Sequence, residues 1–238
     1  LRAGKEFYVS FAPERSVEGN ALKELETLPQ VIGGYSKQCS EFAGKLFCKI
    51  TSAIIRVESL EAAEIVKLIN NTFRDTVFSF ANEVALICDK YNIDAFDVIE
   101  AANEGYPRNP IPSPSPGVGG ACLVKDPYLY CHNNENSFHI PESGKLSRSI
   151  NAKMPRYILE QFLKFAKAHT LKSQNTKVTI VGLTFKGFPE TSDTRFSPAV
   201  ELANMLKSSG FTVQGFDWVL SKQEIEDYLA EPHVAQLA

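Results

Sequence analysis

Short apolar segments and amphipathic segments alternate at the start of the chain. The runs 6–14, 30–34 and 53–58 are rich in β-branched, aromatic or other apolar residues and predict strands. Between them, 20–28 and 36–50 have the residue spacing of short helices. This alternation is typical of a mostly parallel α/β layer.

The stretch 59–91 has a different pattern and contains neither Gly nor Pro. Its apolar residues recur at steps of three and four, which is the spacing of one face of a helix. Such a helix would extend roughly 50 Å at about 1.5 Å per residue. One small core does not cover that length, so we expect a spine or a surface for a partner. Further helices are expected at 94–104 and 144–169, the second with Pro155 as a candidate kink.

A second α/β pattern begins with an apolar strand at residue 177 and continues with a helix at 197–210 and a strand at 212–217. Pro198 suits the first turn of that helix, and Gly210 suits its C-cap. Both α/β patterns contain fewer strands than a doubly wound domain normally has. The chain also begins without Met, in a segment typical of a strand, which favours a piece of a longer protein.

Composition narrows the class of protein. The formal charge is −3, which argues against a general nucleic-acid binder, and no run of about 18 apolar residues predicts a membrane span. The cysteines form no CxxC and no zinc-like spacing, so we expect no metal site and no disulfide framework. Reduced thiols indicate a cytoplasmic protein. The five cysteines are Cys39, Cys48, Cys88, Cys122 and Cys131.

The dinucleotide fingerprint G-x-G-x-x-G after a strand is absent from this sequence. The nearest match is GVGGAC, in which Cys122 takes the place of the last glycine and prolines, not a strand, come before it. The sequence therefore gives no motif for binding a dinucleotide pyrophosphate.

Cys122 follows a loop, 105–121, that contains five prolines and four glycines. If Gly119 and Gly120 lead into a helix, Cys122 lies in its first turn, where the helix dipole favours a thiolate. Asp126 lies one turn further along such a helix. The alternative is a small buried cysteine in a tight turn.

Lys67 and Asn71 are four residues apart on the expected long helix, so they share one face. A cationic donor and an amide donor aimed at one spot suit an oxyanion site. The alternative is an ordinary solvated helix surface.

Two charged pairs near turns remain ambiguous. Glu14 and Glu18 follow the first strand and form either a charged turn or part of a site. Asp193 and Arg195 come just before an expected helix, where they form a surface ion pair or the arginine binds a phosphate.

Together these segments resemble the UDP-glucose/GDP-mannose dehydrogenase family, in the same order along the chain. The similarity covers roughly residues 6–217, and the glycine-cysteine-Lys-Asp segment is its most specific motif. The first segment looks most like the branch that acts on NDP-N-acetylhexosamines such as UDP-N-acetylmannosamine. The four segments are APERSVEGNALKELETLPQVIGG, AEIVKLINNTFRDTVFSFANE, PGVGGACLVKDP and VGLTFKGFPETSDTRFSPA.

The resemblance implies an α/β fold in three parts. Residues 1–58 are expected to be the second half of an NAD-binding Rossmann-like domain, without the half that makes the main NAD contacts. Residues 59–172 are expected to form a central α-helical domain whose long spine helix makes a homodimer. Residues 173–238 are expected to form a truncated, Rossmann-like NDP-sugar-binding domain.

The resemblance also implies a four-electron oxidation of the sugar C6 alcohol to a carboxylate with two NAD⁺. Cys122 would form a thiohemiacetal and then a thioester, Lys67 and Asn71 would stabilise the oxyanion, and Asp126 and Glu14 would assist hydrolysis. Residues implied in substrate binding are Glu18, Arg108, Asn109, Gly119, Gly120, Lys125, Lys186, Asp193 and Arg195.

Ala121 departs from the family pattern, since relatives often have Ser or His before the cysteine. Three alternatives remain open at this point. They are the same chemistry on UDP-glucose or GDP-mannose, a relative that makes a single two-electron oxidation, and a binding or dimerisation module without catalysis.

Overall fold

The computed structural model describes residues 1–132 and 141–230, and the chain divides into two compact units, 1–71 and 72–238. The strands are β1 (Ser10–Phe11), β2 (Gln30–Gly34), β3 (Ile54–Val57), β4 (Lys177–Val181) and β5 (Thr212–Phe216). The helices are α1 (Ala21–Thr27), α2 (Lys37–Phe47), α3 (Leu60–Lys90), α4 (Ala95–Asn103), α5 (Ala121–His132), α6 (Ser143–Ala168), α7 (Pro198–Ser208) and α8 (Lys222–Ala230). A short 3-10 turn, Ser173–Asn175, precedes β4.

The first unit is built on a sheet in the order β1-β2-β3. The strands β2 and β3 are parallel, as the alternation of elements predicts. The first strand differs from expectation, because it is only two residues long and antiparallel to β2. Two local features shorten it: the main chain turns at Gly4, whose N–H donates to the carbonyl of Phe7 at 2.8 Å, and Pro13 has no N–H for a ladder.

Small residues allow close packing in this unit. A Cβ on Gly33 would lie 1.9 Å from the carbonyl oxygen of Ser59, and one on Gly34 would lie 2.4 Å from the nitrogen of Ser40. A side chain at Gly33 would displace the main chain between β3 and α3, and one at Gly34 would displace the start of α2. The core beside them contains Ile32, which is fully buried.

The long helix α3 runs from Leu60 to Lys90, within one residue at each end of the predicted range. Its 31 residues extend roughly 46 Å at 1.5 Å per residue. Ser59 accepts a hydrogen bond from the N–H of Ala62 at 3.2 Å and so caps the start. The chain leaves the far end through Asn92, which has a positive φ of 54°.

In the second unit, β4 and β5 are parallel, and α7 and α8 pack on them around Leu183, Val200 and Ala203. Ser197 caps α7 by accepting from the N–H of Ala199, and Pro198 occupies the first turn, as predicted. The predicted helix at 144–169 is confirmed as α6, which contains Pro155. Within the described parts of the chain, no helix is both long and apolar enough to cross a membrane.

Candidate active site

Cys122 is the second residue of α5 and is exposed. The conditional expectation that Gly119 and Gly120 lead into a helix is therefore confirmed. Gly120 has a positive φ of 85°, and its N–H donates to the carbonyl of Arg195 at 3.2 Å. A hydrogen bond thus joins the start of α5 to the loop before α7.

Both glycines lie where a side chain would not fit. A Cβ on Gly119 would lie 2.3 Å from the carbonyl oxygen of Phe196, and one on Gly120 would lie 2.8 Å from the ring of Phe185. This packing therefore holds the main chain just before Cys122 against the loop that contains Arg195.

Asp126 lies one turn after Cys122 and is almost completely buried. Its carboxylate forms an ion pair with Lys125, whose side chain is more than half exposed. A buried carboxylate needs such a partner. The neighbouring lysine therefore compensates the charge of this buried carboxylate.

The loop between β4 and α7 carries the three charged residues that the sequence singles out. The guanidinium of Arg195 binds the Asp193 carboxylate in a fork, with Nε at 2.9 Å from both oxygens and Nη2 at 2.6 Å from Oδ2. The Arg195 side chain is still 65% exposed, so its position beside this ion pair is open to solvent. The ammonium of Lys186 lies 5.5 Å from the ring of Phe185.

Arg108 and Asn109 are exposed on the proline-rich loop. The Arg108 guanidinium lies over the ring of Tyr106, 5.2 Å from its centroid, and donates to its hydroxyl at 3.2 Å. The side chain of Asn103 holds the loop by two hydrogen bonds of 2.8 Å, one to each main-chain polar group of Ile111. The loop is thus tied to the end of α4.

The first unit contains the remaining candidate site residues, which are Glu14, Glu18, Lys67 and Asn71. Glu14 is exposed and accepts from the N–H of Ser16, which is the charged-turn arrangement, and Glu18 is exposed as well. Lys67 and Asn71 are half-buried on α3, one turn apart on the same face, as their spacing predicts.

A cavity of about 550 Å³ lies in the first unit and contains none of the sequence-predicted site residues. It is at the carboxyl ends of β2 and β3, where ligands commonly bind in open α/β sheets. Lys37, Arg56, Glu41 and Glu58 contribute to its lining, so acidic and basic groups balance there.

Sequence reasoning missed a buried polar cluster in the second unit. Asp75 on α3 is fully buried, and the Arg148 guanidinium on α6 donates to it at 2.7 Å. The available signal was a polar stripe, Asp75, Ser79 and Asn82, at steps of four and three within the helical pattern. Its partners lie some 70 residues away in sequence, which a local pattern does not reveal.

Two models of one family match the chain. The central domain of the UDP-glucose/GDP-mannose dehydrogenase family matches residues 61–153, and the UDP binding domain of the same family matches residues 179–237. Together they match more than half of the chain.

Individual proteins are similar over most of the chain. The UDP-N-acetyl-D-mannosamine dehydrogenase of Pyrococcus horikoshii is 36% identical over 217 residues, which cover 91% of this chain and 50% of that protein. A solved structure of UDP-D-ManNAc dehydrogenase from Pyrococcus horikoshii has a TM-score of 0.82 at 33% identity and covers 94% of this chain and 54% of that one. A UDP-glucose dehydrogenase structure from Pyrobaculum islandicum has a TM-score of 0.79 at 27% identity. The match covers 96% of this chain and 51% of that one. The chain therefore spans about half the length of the relatives it matches.

Proposed function

The chain belongs to the UDP-glucose/GDP-mannose dehydrogenase family, and from this membership we propose that the protein oxidises the C6 alcohol of a nucleotide-diphosphate sugar to a carboxylate. A UDP-N-acetylhexosamine is the favoured substrate, since a relative at 36% identity is named for UDP-N-acetyl-D-mannosamine.

One observation carries the proposal. The exposed Cys122 lies in the first turn of α5, just after two glycines that pack on the loop containing Arg195. This loop lies within the segment that matches the UDP binding domain. A nucleophile and a region for a nucleotide diphosphate are thus neighbours in one compact unit. An exposed guanidinium in that loop suits a diphosphate, because its N–H groups match phosphate oxygens.

The side chains have complementary roles in this proposal. Once the alcohol has been oxidised to the C6 aldehyde, the Cys122 thiolate adds to that carbon to form a thiohemiacetal. NAD⁺ would take the hydride from the same carbon, which leaves a thioester, and water hydrolyses the thioester to the acid and the free thiol. Lys67 and Asn71, by family resemblance, stabilise the oxyanion, while Asp126 and Glu14 assist hydrolysis. Substrate contacts are assigned to Glu18, Arg108, Asn109, Gly119, Gly120, Lys125, Lys186, Asp193 and Arg195.

NAD is the cofactor that the family resemblance implies, and it would accept hydride from the sugar carbon. The two glycines that end β2 leave no room for its pyrophosphate, because the protein's own main chain occupies the space beside them: Gly33 packs on Ser59 and Gly34 on Ser40.

We also propose a domain organisation, an oligomeric state and a cellular location for the protein. Residues 1–58, 59–172 and 173–238 are proposed as the remaining part of the NAD domain, the central helical domain and the NDP-sugar domain. We propose a homodimer through α3 and a cytoplasmic location, the latter consistent with five free cysteines.

A substrate panel tests the function. The complete protein is assayed with NAD⁺ and UDP-N-acetylhexosamines, UDP-glucose or GDP-mannose, and NADH is counted per sugar consumed. Two NADH per UDP-N-acetylhexosamine is the expected result. A yield of one indicates a single oxidation, whereas nucleotide-sugar binding without NADH indicates a binding module and contradicts the proposal.

A UDP-glucose 6-dehydrogenase is the second candidate, favoured by the structural similarity to the Pyrobaculum islandicum enzyme. In the same assay it would give two NADH from UDP-glucose and none from the N-acetylated sugars.

A further inference from the structure

A buried polar cluster joins α3 to α6 within the second unit. The Asp75 carboxylate accepts hydrogen bonds from the Arg148 guanidinium at 2.7 Å, the Ser147 hydroxyl at 2.7 Å and the Asn151 amide at 2.8 Å. All four residues are at most 5% exposed. The carboxylate is thus satisfied on both oxygens, which a buried charge requires.

The cluster does not end at the two helices. Arg148 also donates, through Nη2, to the carbonyl of Val118 at 3.2 Å. Asn82, fully buried on α3, accepts from the N–H of Ser115 at 2.8 Å and donates to Asn151 at 2.9 Å. Two side chains of the cluster therefore hold the main chain of one loop.

This loop leads directly into the nucleophile. Ser115 and Val118 are seven and four residues before Cys122, and the next anchor is the hydrogen bond from the N–H of Gly120 to Arg195. Three main-chain groups within six residues are thus fixed before α5 begins. The packing of Gly117 against Pro198, with a Cβ position 3.0 Å from that ring, leaves this segment little room.

We propose that Asn82 and Arg148 are positioning residues for Cys122. They hold the segment 115–118 so that the thiol at the start of α5 meets the sugar C6 carbon in line for attack, and this role rests on the function proposed above. Neither side chain touches the substrate. Asp75 and Asn151 hold the two in place.

The energetics favour a positioning role over a purely structural one. A buried ion pair adds little net stability compared with apolar groups of similar volume. A fully satisfied buried network is rigid, however, and specifies one arrangement of its neighbours. Since a displacement of about 1 Å between reacting groups costs on the order of 100-fold in rate, rigidity here acts on catalysis.

A substitution in the loop tests the anchor without disturbing the core. Ser115→Pro removes the N–H that Asn82 accepts, between two existing prolines, whereas Ser115→Ala keeps that N–H and removes only the hydroxyl. In the complete protein we expect Ser115→Pro to lower kcat at least tenfold relative to Ser115→Ala, with KM changed less than twofold. Equal kcat values for the two variants would overturn the proposal.

Arg148→Lys tests the second anchor from the helix side. A lysine keeps the charge opposite Asp75, but its single ammonium does not reproduce the fork that also reaches Val118. We expect the same fall in kcat with little change in KM. Ser79→Ala is the matched control: Ser79 is equally buried on α3, its hydroxyl donates to the carbonyl of Thr76 in the same helix, and the variant should keep the wild-type rate.

A readout that does not need turnover separates this proposal from the proposed function. The rate at which iodoacetamide alkylates Cys122 is measured by peptide mass spectrometry, and we expect it to differ at least threefold between Ser115→Pro and Ser115→Ala. If the wild-type protein oxidises no nucleotide sugar but this difference in alkylation rate is found, the proposed oxidation is contradicted. The proposed anchoring of the segment 115–118 is then still supported. Equal alkylation rates in Ser115→Pro, Ser115→Ala and Arg148→Lys contradict the anchoring itself.

Discussion

At the scale of single residues, the proposed chemistry depends on the exposed thiol of Cys122. We expect Cys122→Ser in the complete protein to lower acid formation by at least about 1,000-fold, because a hydroxyl is a far weaker nucleophile near neutral pH. Binding of the nucleotide sugar should remain within about threefold of wild type. Acid production is measured by chromatography and binding by calorimetry.

Cys48→Ser is the matched control, since Cys48 is also an exposed, free cysteine and lies at the end of α2 in the first unit. It should leave both measurements unchanged. Wild-type acid formation by Cys122→Ser would contradict the thioester mechanism.

Local spacing predicted part of the candidate site. The sequence predicted the helical spacing of Cys122 and Asp126, and two glycines next to each other indicated where α5 begins. The burial of Asp126 was not predictable, because burial depends on tertiary packing, which local spacing does not show. The contact between Asp75 and Arg148 also escaped prediction, since 73 residues separate the partners.

At the scale of elements, the helical periodicity of apolar residues predicted element bounds most accurately. The helices α3, α6 and α7 lie within two residues of their predicted bounds at each end. The strand β1 was predicted too long, because β-branched and aromatic composition does not reveal the turn at Gly4. Amino-acid composition favours a strand conformation, but hydrogen-bonded pairing with a neighbouring strand determines how long the strand is.

The ends of β4 and β5 are joined by Asp217, which directly follows β5. Its carboxylate accepts from the N–H groups of Leu183 and Val219, both at 2.8 Å, and more weakly from Thr184 and Leu220. Burial alone would raise the pKa of Asp217, but these four donors favour the charged form more strongly and hold the pKa below its ordinary value. The charged carboxylate therefore stabilises the turn.

We expect Asp217→Asn to lower the free energy of unfolding by about 1–2 kcal/mol at neutral pH, because an amide oxygen is a weaker acceptor than a carboxylate. The folded pKa is lowered, so the stabilisation is fully present above the ordinary aspartate pKa of about 3.9 and is lost as the pH falls through the lower folded value. The difference between variant and wild type should therefore shrink below about pH 4. Urea denaturation of both proteins at neutral and acidic pH measures this difference in the free energy of unfolding.

Asp227→Asn provides the control, since this carboxylate is exposed on the neighbouring helix α8 and accepts a hydrogen bond from Gln223 of the same helix. It should change the free energy of unfolding by less than about 0.5 kcal/mol at any pH. A stability difference for Asp217→Asn that is constant from pH 7 to the acid range would contradict the assigned role of the charge.

At the scale of the whole molecule, α3 exposes a row of large apolar side chains. Phe73, Phe80 and Ile87 are spaced by seven residues and are 69%, 53% and 59% exposed. Seven-residue spacing keeps side chains on one face of a helix. Apolar faces of this kind commonly mark protein interfaces, and a two-fold pair of identical helices buries the same face on both copies.

We expect Phe80→Glu to weaken self-association of the complete protein at least tenfold, because a homodimer through α3 would bury two unpaired carboxylates at this position. Sedimentation velocity over a concentration series measures the monomer–dimer equilibrium. Leu22→Glu is the matched control: Leu22 is 82% exposed on α1, outside the face of Phe73, Phe80 and Ile87, and its change should leave the equilibrium unaltered. Equal association of Phe80→Glu and wild type would exclude this face of α3 as the dimer contact, while a monomeric wild type would exclude the homodimer altogether.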